Sequence, residues 1–210
     1  MNDIDHPGIP ERHSIGSADG VVFDVVAWSP AHADVDFSVA CMFEHEMGDA
    51  PLAGGLLELD RALGNQLTRL RTDGAFRAQP METLLITSPP SGVVPRALLL
   101  LGLGDPASLD GDLLRRATRV AMREAIRYRA GSMAFAPSVL DGGHTDNAHL
   151  DMEEMMLDGM LGALHAEHML AAAGLAAVPV LRHCSFDVGL PRAHTAGLAF
   201  SAAFARLAGA

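Results

Sequence analysis

Hydrophobic positions along this chain fall into short β-like runs separated by stretches of helical period. Residues 1–17 break any period with Pro7, Gly8, Pro10 and Gly16, and read as a flexible leader to a single domain over 18–210. Val21-Val22-Phe23-Asp24-Val25-Val26 and Val35-Asp36-Phe37-Ser38-Val39-Ala40 concentrate β-branched and aromatic residues, which predicts two strands. Leu56, Leu59, Leu63, Leu67 and Leu70 then recur at steps of three and four. That spacing predicts one helix over 55–71, with Glu58, Asp60, Arg61 and Arg69 off its apolar face and Asp73-Gly74 as its stop.

Thr83-Leu84-Leu85-Ile86 predicts a strand closed by Pro89-Pro90-Ser91-Gly92. The unalternating apolar run 97–101, ended by Gly102-Leu103-Gly104-Asp105-Pro106, suits a central strand covered on both faces. A helix is predicted over 110–129, with Leu114, Ala117, Ala121 and Ala125 on one side. Residues 132–137 read as a strand, followed by the loop Asp141-Gly142-Gly143-His144. Segment 150–173 is helical by composition, 178–181 and 186–188 are β-like, and 195–208 is an Ala-rich helix. Strands alternating with helices predict an α/β fold: a three-layer mixed sheet with helices on both faces.

Composition narrows the function classes. The 210 residues are 49% hydrophobic and 20% charged, which excludes an intrinsically disordered chain. Net charge is -11, which argues against a nucleic-acid binder. All 15 basic residues are arginine. A chain without lysine has no P-loop lysine, no Schiff-base nucleophile and no lysine general base. Two cysteines, Cys41 and Cys184, are too few for a disulfide framework. The N-terminal residues lack the basic end and apolar stretch of a signal peptide, and no apolar run approaches the ~20 residues that span a bilayer. A cytoplasmic protein without membrane contact is expected.

The order of several short elements carries a resemblance. These are Ala33-Asp34-Val35, Leu59-Asp60-Arg61-Ala62-Leu63-Gly64, Asp73-Gly74-Ala75-Phe76, Glu82-Thr83-Leu84-Leu85, Leu98-Leu99-Leu100-Leu101-Gly102-Leu103-Gly104, Leu113-Leu114-Arg115-Arg116-Ala117 and Asp158-Gly159-Met160-Leu161-Gly162. In this succession, over about residues 33–188, the chain resembles the N-terminal domain of the leucyl (cytosol) aminopeptidase family. The resemblance implies a macro-domain-like fold. It also implies a free-standing, noncatalytic half. The family's chemistry belongs to a second domain with two metal ions and a catalytic lysine, and this chain has no lysine and no NTDAEGR-like motif. No catalytic residue and no cofactor are therefore expected.

Three residue groups invite a functional reading. Gly102 and Gly104 precede a helix, and Ser138, Gly142 and Gly143 follow a strand, where backbone amides favour anions. A macro-type domain would hold the phosphates of ADP-ribose at the second loop, although Asp141 sits within it. Tight turns explain the same glycines. His165 and His168 lie one helical turn apart with Glu154 and Asp158, but together with Asp151 these equally form a solvated stripe opposite Met156, Met160, Leu164 and Met169. His144 and His149 flank Asp146, and Glu44-His45-Glu46 ends a strand, yet no HExxH spacing occurs and no metal site is expected.

Arg116, Arg119, Arg123 and Arg127 line one helix face beside Arg115 and Arg129. They form either a solvated face balanced by carboxylates or a docking face for an acidic partner, another copy included. Met152, Met155, Met156, Met160 and Met169 suggest adaptable core or a subunit contact. Two functions from different classes follow. The first is a noncatalytic domain acting by self-association or through an aminopeptidase-like partner. The alternative is a small-ligand module for a nucleotide-like anion at the strand-end glycines.

Overall fold

Seven strands form one mixed sheet in a computed structural model that describes residues 12–47, 52–137, 151–189 and 192–208. In chain order they are β1 (His13–Ala18), β2 (Val21–Val26), β3 (Phe37–Phe43), β4 (Thr83–Ile86), β5 (Ala97–Gly104), β6 (Ser132–Ala136) and β7 (His183–Asp187). Across the sheet the order is β1-β2-β7-β6-β3-β5-β4. The five inner strands are parallel, and β1 and β4 close the edges antiparallel.

Each strand's composition matches its place. Every residue of β3 and β5 is buried, as the unbroken apolar runs require of strands covered on both sides. Edge strand β4 alternates exposed and half-buried positions. Period-two geometry splits the core into two layers. Val39, Cys41, Leu99 and Leu101 pack beneath α3 (Gly111–Arg127), α4 (Met152–Ala172) and α5 (Ala193–Ala208). Ala40, Met42, Leu98 and Leu100 pack beneath α1 (Gly54–Ala62) and α2 (Gln66–Thr72). This is the expected three-layer α/β arrangement.

Three expectations need correction. The supposed leader is ordered from residue 12, because His13–Ala18 pairs with β2 around a bulge between Ser14 and Gly16; residues 1–11 lie outside the described ones. A glycine is needed in that bulge, since a Cβ on Gly16 would sit 2.4 Å from the Phe204 ring. The single helix over 55–71 is two helices, α1 and α2, broken where Gly64 and Asn65 turn left-handed at φ 65° and 63°. The leucine period survives the break because Asp60 bridges it, its Oδ1 accepting the Thr68 N–H at 3.1 Å, so that Leu63 and Leu67 enter the same core. Residues 178–181 form no strand and belong to the connection from α4 to β7. The 97–101 run is an inner strand covered on both faces, as expected, and lies one strand in from the edge.

Candidate functional site

In a parallel sheet the crevice for ligands opens at the strand C-termini, where neighbouring strands send their connections in opposite directions. Here that point lies between β3 and β6. From β3 the chain proceeds toward β5, and from β6 it proceeds the other way to β7. A 3-10 turn, Glu44–Met47, follows β3; Glu46 Oε2 accepts the Phe43 N–H at 2.7 Å, and the His45 ring lies tilted against Phe43 with centroids 5.9 Å apart. Ser138, Gly142 and Gly143, with His144, Asp146 and His149, fall outside the described residues.

At this end the N-termini of α3, α4 and the 3-10 turn Pro106–Ser108 are filled by the chain's own acids, whereas α5 has no acid in its first turn. Asp110 Oδ1 accepts the Leu113 N–H at 2.7 Å, Asp105 Oδ1 accepts that of Ala107 at 2.8 Å, and Asp151 Oδ1 accepts that of Glu154 at 3.3 Å. Asp112, Glu153 and Glu154 stand in the first turns of α3 and α4. The positive ends of α3 and α4 are thereby offset.

Gly102 and Gly104 serve packing. The Gly102 N–H donates to the Glu82 carbonyl and that of Gly104 to the Ala78 carbonyl, both at 2.8 Å. A Cβ on Gly102 would lie 2.1 Å from the Gln79 carbonyl oxygen, and Gly104 takes φ +75° against Pro80. Neither amide is free for an anion.

The arginine row lies along α3 beside α4, and most of its charge is balanced. Arg115 Nε meets Asp158 at 2.5 Å, Arg116 Nε meets Asp112 at 3.0 Å, Arg123 Nε meets Glu167 at 3.5 Å and Arg127 Nη1 meets Glu124 at 2.7 Å. Arg119 makes no ion pair among the described residues, and its buried Nε has no hydrogen-bond partner. The supposed histidine stripe is likewise taken apart, for Asp158 pairs with Arg115 and Glu154 with Arg206. Among the described residues no group of three or more His, Cys, Asp or Glu could hold a metal ion.

Two features escape the sequence pattern. Asp24, in the middle of β2, is 2% exposed and paired to Arg12 Nη1 at 2.7 Å, with the Arg12 guanidinium 5.4 Å above the Trp28 ring. Beside it, Asp187 Oδ1 accepts the Trp28 N–H at 2.9 Å. A lone acid in an apolar strand was the available signal. The second feature is a cleft of about 200 Å³ at the opposite end of the sheet, between the C-terminal ends of α3 and α4. It is lined by Ile126, Arg127, Arg129, Glu167 and the 176–180 connection. Met169, Leu170, Leu175 and Val178 stand exposed in the same stretch of chain.

Neither cysteine is a nucleophile in this fold. Cys41 and Cys184 are fully buried, and burial, reinforced by Glu46 and Asp24 respectively, pushes both thiols far above their usual range.

Sheet order, flanking helices and the switch point together define a macro-domain-like α/β domain. The Oceanobacillus iheyensis macrodomain with ADP superposes with a TM-score of 0.62 at 12% identity, over 95% of this chain and 97% of that one. The Trypanosoma brucei macrodomain in complex with ADP gives 0.56 at 16% identity, over 85% and 68%. A mutant of tomato leucine aminopeptidase gives 0.64 at 14% identity, over 91% of this chain and 37% of that one. At such identities these likenesses concern the fold alone.

Sequence comparison goes further. The profile of the cytosol aminopeptidase family, N-terminal domain, matches residues 43–158, more than half of the chain, and the chain belongs to that family. A probable cytosol aminopeptidase of Alkaliphilus oremlandii (strain OhILAs) is 34% identical over 97 residues, which is 46% of this chain and 19% of the relative. The chain thus matches about a fifth of that relative's length. No helix among the described residues is long and apolar enough to cross a membrane.

Proposed function

We propose that this cytosol aminopeptidase N-terminal domain acts without catalysis, through association with a second copy or with an aminopeptidase-like partner in the cytoplasm. The observation that carries this is the cluster of exposed large apolar side chains at the end of α4. Met169, Leu170, Leu175 and Val178 are 62, 39, 76 and 67% exposed within residues 169–178. Large apolar groups gathered in this way mark contact surfaces more often than isolated ones do. The lysine-free sequence and the two deeply buried thiols take lysine and cysteine out of the available nucleophiles, in keeping with a noncatalytic role. Light scattering coupled to size-exclusion chromatography, with a binding measurement against a purified aminopeptidase, tests the proposal. A strictly monomeric chain that binds no aminopeptidase defeats it, as does hydrolysis of an aminoacyl chromogenic substrate by rigorously pure protein.

The macro-domain fold favours a second function, binding of a nucleotide-like anion of ADP-ribose type. Against it stand the self-capped N-termini of α3 and α4 and the occupied amides of Gly102 and Gly104. Ligand at 100 times its Kd stabilises a protein by about 2.7 kcal/mol, so millimolar ADP-ribose without a thermal shift retires this alternative.

A further inference from the structure

The geometry points to the cleft between the C-terminal ends of α3 and α4 as a docking site for a partner's acidic amphipathic segment, one apolar side chain entering the cleft and a neighbouring carboxylate meeting Arg129. This rests on the association reading above and names its surface and its partner.

Arg129 is the first clue. It occupies the position just past the α3 C-cap, Tyr128, in the left-handed conformation at φ 60°, where glycine is the usual choice. The same position after α1, α2 and α4 is indeed glycine: Gly64, Gly74 and Gly174, at φ 65°, 65° and 71°. Among the described helix ends only this turn carries a long side chain and the strain that comes with it, and this side chain stands at the lip of the cleft.

Charge supplies the second clue. The other charged groups of the cleft are matched within the chain, Arg127 to Glu124 and Glu167 to Arg123. Arg129 is exposed and has no ion pair among the described residues, in a chain of net charge -11. One uncompensated cation beside Ala176, Ala177, Val178 and Val180 calls for an apolar group with an adjacent carboxylate. Two-fold pairing of this patch with itself would supply no unpaired acid for Arg129, since the one acid of the cleft, Glu167, is held by Arg123. At about 200 Å³ the cleft suits a side chain and falls short of the roughly 300–1,000 Å³ that small-molecule sites occupy.

The test titrates the labelled full chain with a synthetic helical peptide carrying Leu at i and i+4 flanked by Glu, and with its Lys-for-Glu counterpart, following amide shifts by NMR. The Glu peptide is expected to shift Arg129 and residues 175–180, and the Lys peptide to leave them unmoved. Arg129→Glu reverses that preference. Arg129→Gly relieves the left-handed strain, raising Tm by about 2–4 °C, while weakening the Glu peptide about tenfold. No shift at this patch, or equal response to both peptides, overturns the proposal. Dimerisation that Leu175→Asp abolishes also overturns it, since the occupant is then a second copy, and the association reading stands. Peptide binding by a monomer that ignores aminopeptidase supports the site while defeating that reading's named partners.

Discussion

Replacing Gly159 with alanine would drive a methyl group into the backbone of the neighbouring helix. α3 and α4 run side by side in the same direction, and they approach closely at Gly159. A Cβ built there lies 2.1 Å from Thr118 Oγ1 and 2.3 Å from the Arg115 carbonyl oxygen. The hydroxyl could rotate away; the carbonyl belongs to a regular helix and cannot. The helices must separate, at an overpacking cost of typically ~1–3 kcal/mol, and backbone as the obstacle favours the upper end. Gly→Ala in a helix interior returns about 1 kcal/mol. The net loss is therefore about 2 kcal/mol, a Tm lowered by roughly 4–8 °C in a chain of this size.

Gly162, one turn on, is the control. It is exposed, and its added Cβ would meet only the far end of the flexible Arg119 side chain at 3.3 Å. Gly162→Ala should keep the helical gain and raise Tm by about 2–4 °C. Thermal and denaturant unfolding of the two variants thus give opposite signs from one substitution type on one helix. Adding Thr118→Ala to Gly159→Ala should recover part of the loss, because Arg115 still blocks the methyl. A Gly159→Ala protein as stable as the parent would refute the close approach.

The remaining predictions concern buried groups. Both thiols should resist a disulfide reagent at pH 8 in the folded chain and react fully, two per chain, in denaturant; rapid labelling of folded protein contradicts their burial. Their folded pKa values lie above the ordinary 9.0. Above that pH the unfolded chain therefore loses protons that the folded chain keeps, and stability falls as pH rises, by up to about 1.4 kcal/mol per pH unit per thiol. Denaturant midpoints at pH 8 and 10 check this, with a shallower fall expected for Cys184→Ala. Arg12→Ala strands the Asp24 carboxylate in the core beside Trp28. Because Arg12 is itself half exposed, the expected cost is about 1–3 kcal/mol, accompanied by a shift in emission from the chain's single tryptophan. Unchanged emission and stability refute that pairing.

Local pattern made the elements legible. The leucine spacing of 56–70, the unbroken run in β5 and the small-residue face of α3 each state their own periodicity, and their succession suffices for the family. The break between α1 and α2 escaped because Leu63 and Leu67 keep one apolar face across it, while the turn depends on a left-handed Asn65. The strand-end glycines could not be assigned from sequence. Whether Gly102 faces a ligand or the Gln79 carbonyl depends on the antiparallel pairing of β4 with β5, which sets a distant segment against it.

The same division applies to charge. Sequence by itself determined an acidic, lysine-free α/β chain of the cytosol aminopeptidase family with a row of arginines on one helix. Tertiary structure alone decided which of those arginines are neutralised. The register of α4 against α3 places Asp158 opposite Arg115 and Glu167 opposite Arg123, leaves Gly162 beneath Arg119, and sets Arg129 past the helix end beside an open apolar cleft. Periodicity is a property of neighbours along the chain. Ion pairing depends on which side chains meet across two helices, and only packing fixes that.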